Sequence, residues 1–291
     1  MKVFHHNDMD GYAAAHAVKM YKNLNMEDVK RDFIELDHSK SDKDKFDIAT
    51  PYEDIWIVDY SFTESTCDIL KTLLEKKCKI RWIDHHISSI ELLKVHPELS
   101  IIPGVIKDGI SGAALTYMYC FMNNYELSEA PLYIRLISDY DCWQLKINPY
   151  TDFFKLYYDS NKDKWKCLDD LYENRFDEKF IKQCYEKGRI IKQFIDADNE
   201  YYMKQYGYEA EFEGMTVLVV NKDTNSWIFG EAIKEYPMVV NYAFNGSEYV
   251  YSLYSDKNSS TNCSKYAEKY GGGGHKGAAG FRSKELLFKK K

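Results

Sequence analysis

The amino-acid sequence predicts an α/β fold with two domains: an N-terminal domain on a parallel sheet with helices on both faces, and a smaller C-terminal domain with a mixed sheet. Short apolar runs alternate with helical patterns in the first half of the chain, which is typical of βαβ units. Beyond Gly207 the pattern changes to alternating strand-like segments, which indicates a second domain. A chain of 291 residues is also longer than a usual compact domain.

Strand and helix patterns follow one another in pairs along the first half. The predicted pairs are Lys2–Phe4 with Tyr12–Tyr21, Ile55–Asp59 with Glu64–Lys77, and Lys79–Ile83 with Ser111–Asn123. Because sites in parallel sheets form beyond the carboxyl ends of the strands, the polar residues that follow these strands are the first candidates for a functional site.

Apolar residues at helical spacing predict a connecting helix over residues 176–206. Beyond Gly207 the pattern becomes strand-like, with helical stretches around Glu231 and Ser264. The predicted strands are Glu209–Phe212, Thr216–Asn221, Met238–Phe244 and Tyr249–Tyr254. The expected domains are therefore 1–175 and 207–291, with the helix 176–206 between them.

Charge and composition exclude several functional classes. A formal net charge of -7 argues against a protein that coats long duplex nucleic acid. The seven cysteines are odd in number and lack CxxC spacing, which favours reduced thiols in a cytoplasmic protein. No apolar run approaches the roughly 20 residues that span a bilayer, so membrane anchoring is not expected.

Three polar segments each follow directly after a predicted strand. They are His6-Asn7-Asp8-Met9-Asp10-Gly11, Asp59 and Asp84-His85-His86. Carboxylates and imidazoles are the ligands of hard or borderline ions such as Mg²⁺ or Mn²⁺. Two such ions about 4 Å apart suit in-line attack on a phosphodiester bond.

Helix capping is the alternative explanation for these acidic residues. An Asp-x-Asp-Gly sequence before a helix serves its N-terminus, and an aspartate in the position of Asp59 is common after a parallel strand. The adjacent residues His85 and His86 beside Asp84 have little packing value, however. The three segments together therefore favour a metal site.

A glycine-rich segment near the C-terminus predicts a phosphate-binding loop. Gly273 and Gly274 end a run of four glycines, and His275 and Lys276 follow directly. Glycines let the backbone approach a ligand closely and present N–H groups to an anion. A flexible loop is the alternative for the glycines, but the two following donors favour phosphate binding.

Together these motifs resemble the DHH phosphoesterase superfamily with its DHHA1 domain, and the match spans nearly the whole chain in the expected order. The resemblance implies two Mn²⁺ ions bridged by Asp59. It assigns His6 and Asp8 to one ion, and Asp10, His85 and an Asp of a fourth motif to the other.

The resemblance also implies that His86 faces the substrate phosphate and that Asp84 orients a histidine. Two positions stay open. The fourth-motif ligand is Asp141 if the Tyr-Asp-Cys-Trp stretch follows nanoRNase B-like members, and Asp139 if it follows other subfamilies. Many relatives carry the first-motif histidine four residues before the first Asp, where this chain has Phe4. His6 therefore fits the HxDxDG variant of the motif, and His5 is either the fallback ligand or simply a strand histidine.

The resemblance implies that the second domain folds over the metal cleft and binds the phosphates and bases of the substrate. Many relatives have an arginine where this chain has Tyr254. Tyr254 can stack on a base, but it lacks the positively charged guanidinium group that binds a phosphate through two N–H donors. Asn262 is a further substrate-contact candidate, with helix capping as its alternative.

The function expected from the motifs is Mn²⁺-dependent hydrolysis of short oligoribonucleotides to nucleoside monophosphates. A phosphodiesterase for cyclic or linear dinucleotides, or a phosphatase for 3′-phosphoadenosine 5′-phosphate, is the alternative enzyme. A non-catalytic nucleotide-binding module is a third hypothesis, disfavoured because every expected ligand type is present. The expected partners are short RNA or dinucleotides, and a homodimer is compatible with this interpretation.

Overall fold

The computed structural model describes residues 1–37, 42–274 and 276–288. The chain divides into two compact units, Met1–Ile191 and Lys192–Lys291, and each has its own sheet and its own hydrophobic core. The first sheet is parallel and the second is mixed. The predicted fold class is therefore confirmed.

The first unit is built on a five-stranded parallel sheet with the order β2-β1-β3-β4-β5. Its strands are β1 (Lys2–His6), β2 (Phe33–Leu36), β3 (Asp54–Val58), β4 (Lys79–Asp84) and β5 (Gly104–Ile106). The sequence predicted the three central strands. It missed β2 and β5, because these edge strands are short and mostly only partly buried, so no continuous apolar run marks them.

Alternate side chains of the central strands face two different hydrophobic clusters. On β3, Trp56 and Val58 belong to one cluster, whereas Ile55 and Ile57 belong to the other. All four are fully buried, which explains why this strand is a continuous apolar run in the sequence. The sheet is thus covered on both faces, as predicted.

Helices of the first unit form these two covers. Within the described residues they are α1 (Met9–Tyr21), α2 (Met26–Asp32), α3 (Asp42–Phe46), α4 (Asp68–Glu75), α5 (Ile87–Val95), α6 (Gly112–Phe121), α7 (Leu132–Asp141), α8 (Tyr150–Ser160) and α9 (Lys164–Glu173), with 3-10 helices at Pro97–Ile101 and Leu127–Glu129. α1 and α6 pack closely, and buried alanines such as Ala14 and Ala114 line both. Their small size lets the start of α1 reach the start of α6.

A 29-residue helix, α10 (Glu178–Tyr206), occupies the segment for which the sequence predicts a connecting helix. The division between the two compact units falls within it, between Ile191 and Lys192.

The second unit contains a six-stranded mixed sheet with the order β10-β11-β9-β8-β7-β6. Its elements are β6 (Tyr208–Phe212), β7 (Met215–Asn221), a 3-10 helix (Ser226–Lys234), β8 (Val239–Phe244), β9 (Tyr249–Tyr254), α11 (Cys263–Glu268), β10 (Gly273–Gly274) and β11 (Ala278–Ser283). β7 and β8 are parallel, and the other neighbours are antiparallel. The sequence predicted β6 to β9 and missed the glycine-rich pair.

None of the helices in the described ranges has both the length and the apolar character that crossing a membrane requires.

Candidate functional site

Three neighbouring strands of the parallel sheet deliver the predicted motif residues to one edge. β1 ends at His6, β3 ends just before Asp59, and β4 ends at Asp84. The pairing of β1 with β3 and of β3 with β4 keeps these ends in register. The strand–motif order seen in the sequence therefore becomes a cluster in space.

Asp8 both caps a helix and contributes to the cluster. One of its carboxylate oxygens accepts a hydrogen bond from the Gly11 amide at 2.9 Å, at the N-terminus of α1. The other lies 3.0 Å from Nδ1 of His6. The capping explanation and the metal explanation are thus compatible, because the two oxygens have different partners.

Gly11 is required by close packing in this turn. A Cβ at this position would lie 2.1 Å from the carbonyl oxygen of His6. The glycine of the first motif therefore lets α1 begin directly above the end of β1.

Asp59 has an unusual backbone and an unpartnered oxygen. Its φ is 53°, in the left-handed region that Asp tolerates better than most residues, while its amide donates to the Ile83 carbonyl at 2.9 Å. The side chain is 1% exposed, and its buried Oδ1 has no hydrogen-bond partner. A buried carboxylate oxygen without a donor is what a cation would satisfy.

His85 lies at the centre of the acidic cluster. Its Nε2 is 3.3 Å from Oδ1 of Asp59, 3.2 Å from Oδ2 of Asp141 and 3.8 Å from Oδ2 of Asp10. One imidazole therefore faces carboxylates from three separate segments, which is a suitable donor set for a borderline divalent ion.

The two fourth-motif candidates have different surroundings. Asp139 accepts hydrogen bonds from the amides of Lys146 and Ile147 and from the Thr151 hydroxyl, at 2.8, 3.1 and 2.6 Å. Asp141, at the end of α7, lies beside His85 instead. The structure brings Asp141 to the cluster and uses Asp139 to hold the loop that follows α7.

Asp10 is held by the N-terminus of α6. Its two oxygens accept hydrogen bonds from the amides of Gly112 and Ala113, at 2.7 and 3.0 Å. A Cβ on Gly112 would lie 2.6 Å from the Cβ of Asp59. Gly112 was not among the residues predicted from the sequence, in which its only signal is the Ser111-Gly112 start of a helix.

Asp84 forms its side-chain hydrogen bonds with His86 and Ser89, and so orients His86 rather than His85. Its Oδ1 accepts from Nδ1 of His86 at 2.6 Å, and its Oδ2 accepts from the Ser89 hydroxyl at 2.5 Å. Burial lowers the pKa of His86, but the hydrogen bond to Asp84 and the negative charges of Asp84, Asp10 and Asp8 together outweigh it, so the pKa is raised. His86 is thus held in a fixed orientation at the start of α5, in surroundings that favour its protonated form.

Burial and mutual repulsion raise the pKa values of the clustered carboxyls. For Asp59 and Asp10, burial is the main cause, and for Asp59 the nearby carboxylates add to it. The same causes raise the pKa of Asp141 to about 9. The protein thus concentrates carboxyl groups whose ionisation is destabilising without a cation.

Groups of side chains in this region have ligand atoms close enough to bind a metal ion. They are Asp59 with Asp84, His85 and His86; His85 with Asp141 and Cys142; and His6 with Asp8 and Asp59. Cys142 was not among the predicted ligands. Burial raises the pKa of its thiol to about 12, so the thiol stays protonated at neutral pH.

His5 lies outside the acidic cluster. It is 1% exposed, donates from Nδ1 to the His6 carbonyl at 2.8 Å, and packs edge-on against Tyr12 and Trp165. Burial lowers its pKa to about 4. His5 therefore has the surroundings of a core histidine.

The predicted substrate residues of the second unit lie on β9 and β10, directly before α11, and after β10. Gly273 and Gly274 pair with β11, and the exposed Lys276 follows them, whereas His275 lies outside the described residues. Asn262 precedes α11 without a side-chain capping bond, and its Oδ1 is buried and unpartnered. Tyr254 packs partly buried against an apolar cluster that includes Val239.

No protein-family model and no curated protein matches the sequence. Solved structures do resemble it. The pGpG-specific phosphodiesterase PggH from Vibrio cholerae shares 13% identity at a TM-score of 0.55, over 97% of this chain and 92% of its own. The DHH domain of a protein described as a member of a ribosomal-protein family shares 15% identity at a TM-score of 0.50, over 96% and 81%. The chain has the DHH fold.

RecJ from Thermus thermophilus, solved in complex with Mn²⁺, has this fold as well. It shares 13% identity at a TM-score of 0.50, over 99% of this chain but only 50% of RecJ. This DHH-fold chain therefore spans about half the length of RecJ. Its carboxylates and histidines fit a divalent ion, because the unpartnered oxygen of Asp59 lies among them.

Asp139→Asn and Asp141→Asn are expected to have different effects. Asp139→Asn places an NH₂ group among hydrogen-bond donors, so we expect a loss of about 1–3 kcal/mol in the free energy of unfolding with Mn²⁺ binding retained. Asp141→Asn should bind less Mn²⁺ with little loss of stability. Urea unfolding and metal analysis of both variants test this, and equal Mn²⁺ content in the two would contradict it.

Mn²⁺ binding is expected to release protons from the cluster. The folded-state pKa of Asp141 is about 9, against 3.8 ordinarily, so the folded metal-free protein holds more protons than the unfolded chain between these values. The contribution of Asp141 to stability therefore falls as pH rises from about 4 to about 9, whereas the affinity for Mn²⁺ rises.

Calorimetry at pH 7 in two buffers of different ionisation enthalpy counts the released protons. Asp141→Asn lacks one of the acids and should release fewer. The same release from both proteins would show that Asp141 does not take part.

Proposed function

We propose that this chain is a Mn²⁺-dependent phosphodiesterase that hydrolyses short oligoribonucleotides to nucleoside monophosphates. The observation that carries the proposal is the convergence of Asp59, His85 and Asp141 at the edge of a parallel sheet, around a buried carboxylate oxygen of Asp59 that has no hydrogen-bond partner. The DHH fold shared with PggH and RecJ supports the same class of reaction.

Two sets of side chains would hold two ions. His6 and Asp8 form one set with Asp59, and Asp10, His85 and Asp141 form the other, so Asp59 is the candidate bridge. When bound, such ions lower the pKa of water and neutralise charge that develops on the phosphate. The fixed carboxylates orient them without reorganisation during the reaction.

His86 has the position and charge to contact the substrate. Asp84 orients the ring through Nδ1, and we expect Nε2 to contact a phosphate oxygen of the bound substrate. Burial lowers the pKa of His86, but Asp84 and the nearby carboxylates Asp10 and Asp8 raise it on balance. This direction favours the imidazolium form, which stabilises negative charge on a phosphodiester or its transition state. Ser89 holds the other oxygen of Asp84, so the pair is fixed in orientation.

A short substrate fits the charge of the chain. The net charge of -7 disfavours the many phosphate contacts of a long strand, whereas the exposed Lys276 offers one local cation. PggH is described as specific for pGpG, a linear dinucleotide. Linear dinucleotides are therefore the second candidate substrate, beside oligonucleotides a few residues long.

The substrate proposal is tested by a panel assay with Mn²⁺. We expect hydrolysis of five-mers and linear dinucleotides, and much slower hydrolysis of long RNA, cyclic dinucleotides, 3′-phosphoadenosine 5′-phosphate and polyphosphate. Asp59→Asn should abolish all activity while the protein stays folded, because a bridging ligand serves both ions. Preference for long RNA or polyphosphate would refute the substrate class, and a fully active Asp59→Asn would refute the metal mechanism.

Lys276 is expected to bind a substrate phosphate away from the scissile bond. Lys276→Ala should lower kcat/KM for a dinucleotide by about 10- to 100-fold, since a hydrogen bond to a charged group contributes about 1.5–3 kcal/mol. Bis-p-nitrophenyl phosphate makes fewer remote contacts and should be affected less. Lys284→Ala, another exposed lysine of the same unit, is the matched control.

Equal losses for both substrates in Lys276→Ala would contradict this assignment. His275→Ala tests the neighbouring position of the motif in the same way. Both variants should keep the Mn²⁺ content of the unaltered protein, because neither residue is a proposed ligand.

A further inference from the structure

A second group of metal-type ligands lies in the first unit, outside the acidic cluster. Nε2 of His96 is 3.0 Å from both carboxylate oxygens of Glu64 and 4.0 Å from Sγ of Cys67. The three ligand atoms lie within 4.8 Å of one another. A thiol, an imidazole and a carboxylate thus converge without any residue of the proposed catalytic site.

A tight turn before α4 places two of these ligands on the same side. The amides of Thr66 and Cys67 both donate to the Thr63 carbonyl, at 2.9 Å. The Cys67 thiol points back to the Glu64 carbonyl, at 3.3 Å. A separation of three residues in this turn therefore brings the Glu64 carboxylate and the Cys67 sulfur together.

His96 is oriented by a second carboxylate. Its Nδ1 lies 3.0 Å from Oε1 of Glu98. With a proton on Nδ1 only, the ring donates to Glu98 and directs the lone pair of Nε2 towards Glu64 and Cys67. Carboxylates hold metal-binding histidines in this way, fixing the tautomer and raising the basicity of the ligating nitrogen.

Ion pairing is the simpler explanation for part of this arrangement. A doubly protonated His96 would pair with Glu64 and Glu98, whose side chains are 70% and 60% exposed. Exposed ion pairs of this kind contribute little to stability. They also do not involve the thiol of Cys67. Cys67, by contrast, is 3% exposed and belongs to the hydrophobic cluster under α4.

We propose that Glu64, Cys67 and His96 form a Zn²⁺ site, with Glu98 as the residue that positions His96. Thiolate and imidazole ligands select Zn²⁺ over the harder ions Mg²⁺ and Mn²⁺. Three protein ligands leave the fourth tetrahedral position to water. The distances from Nε2 of His96, 3.0 Å to the Glu64 oxygens and 4.0 Å to the Cys67 sulfur, lie near the roughly 3.3–3.8 Å between ligands of a tetrahedral ion with bonds of about 2.0–2.3 Å.

This site would connect two segments that carry the acidic cluster. Glu64 follows Asp59 in the loop after β3, and His96 ends the helix α5, which begins next to His86. Zn²⁺ binding would tie these two segments together. The proposal does not depend on the proposed catalytic function, since its ligands and its preferred ion are different.

Co²⁺ substitution tests the site through a signal that only a thiolate ligand produces. Full-length protein is first saturated with Mn²⁺ and then titrated with Co²⁺. We expect a near-ultraviolet thiolate-to-cobalt charge-transfer band that added Zn²⁺ removes. Cys67→Ser should abolish the band, and Cys142→Ser, which alters the thiol beside Asp141, should leave it unchanged.

Variants of the exposed ligands keep the test valid if Cys67→Ser does not fold. Glu64→Gln and His96→Gln should each weaken Zn²⁺ binding by at least about tenfold, and Glu98→Gln by about 10- to 100-fold. Zn²⁺ should raise the Tm of the unaltered protein and of Cys142→Ser more than that of His96→Gln. Absence of the band, its loss in Cys142→Ser instead, or unchanged affinity in His96→Gln would each overturn the proposal.

Discussion

Repulsion among carboxylates that share one small region is the constraint on which this structure depends. Asp10 and Asp59 are buried, Asp141 lies beside them, and the single imidazole of His85 faces all three. Burial raises the pKa values of these acids, which disfavours their charged forms until a cation removes the conflict. The rest of the first unit is arranged to keep these groups in place.

The scaffold tolerates this cluster because the surrounding backbone supplies donors. The amides at the start of α6 bind Asp10, and the Gly11 amide binds Asp8. Glycine at positions 11 and 112 lets helices approach the strand ends more closely than a side chain would allow. Hydrogen bonds from fixed amides lower the free energy of a carboxylate without adding a mobile charge.

The two metal-binding groups of the first unit differ in chemistry. The acidic cluster offers carboxylates and imidazoles, with a thiol whose raised pKa keeps it neutral. The group at Glu64, Cys67 and His96 places a sulfur beside an imidazole. Hard and borderline ions favour the first donor set and Zn²⁺ favours the second, so the two proposed sites would be filled by different ions.

The sequence by itself determined the α/β fold class, the three central strands and the segments that meet at their ends. This works because parallel strands place their carboxyl ends at one edge, so motifs distant in the sequence must converge. The edge strands β2 and β5 depend on pairing with their neighbours rather than on their own apolar pattern. Local periodicity therefore could not reveal them.

Only the tertiary structure distinguished Asp139 from Asp141, because both lie at the end of the same helix and differ only in what surrounds them. It also supplied contacts that link distant positions, such as Asp10 with Gly112, which are 102 residues apart, and Cys67 with His96, which are 29 apart. Because the two members of such a pair are far apart in the sequence, no local sequence pattern links them. Their chemistry arises from packing, which sets the distance and the dielectric surroundings that no single segment encodes.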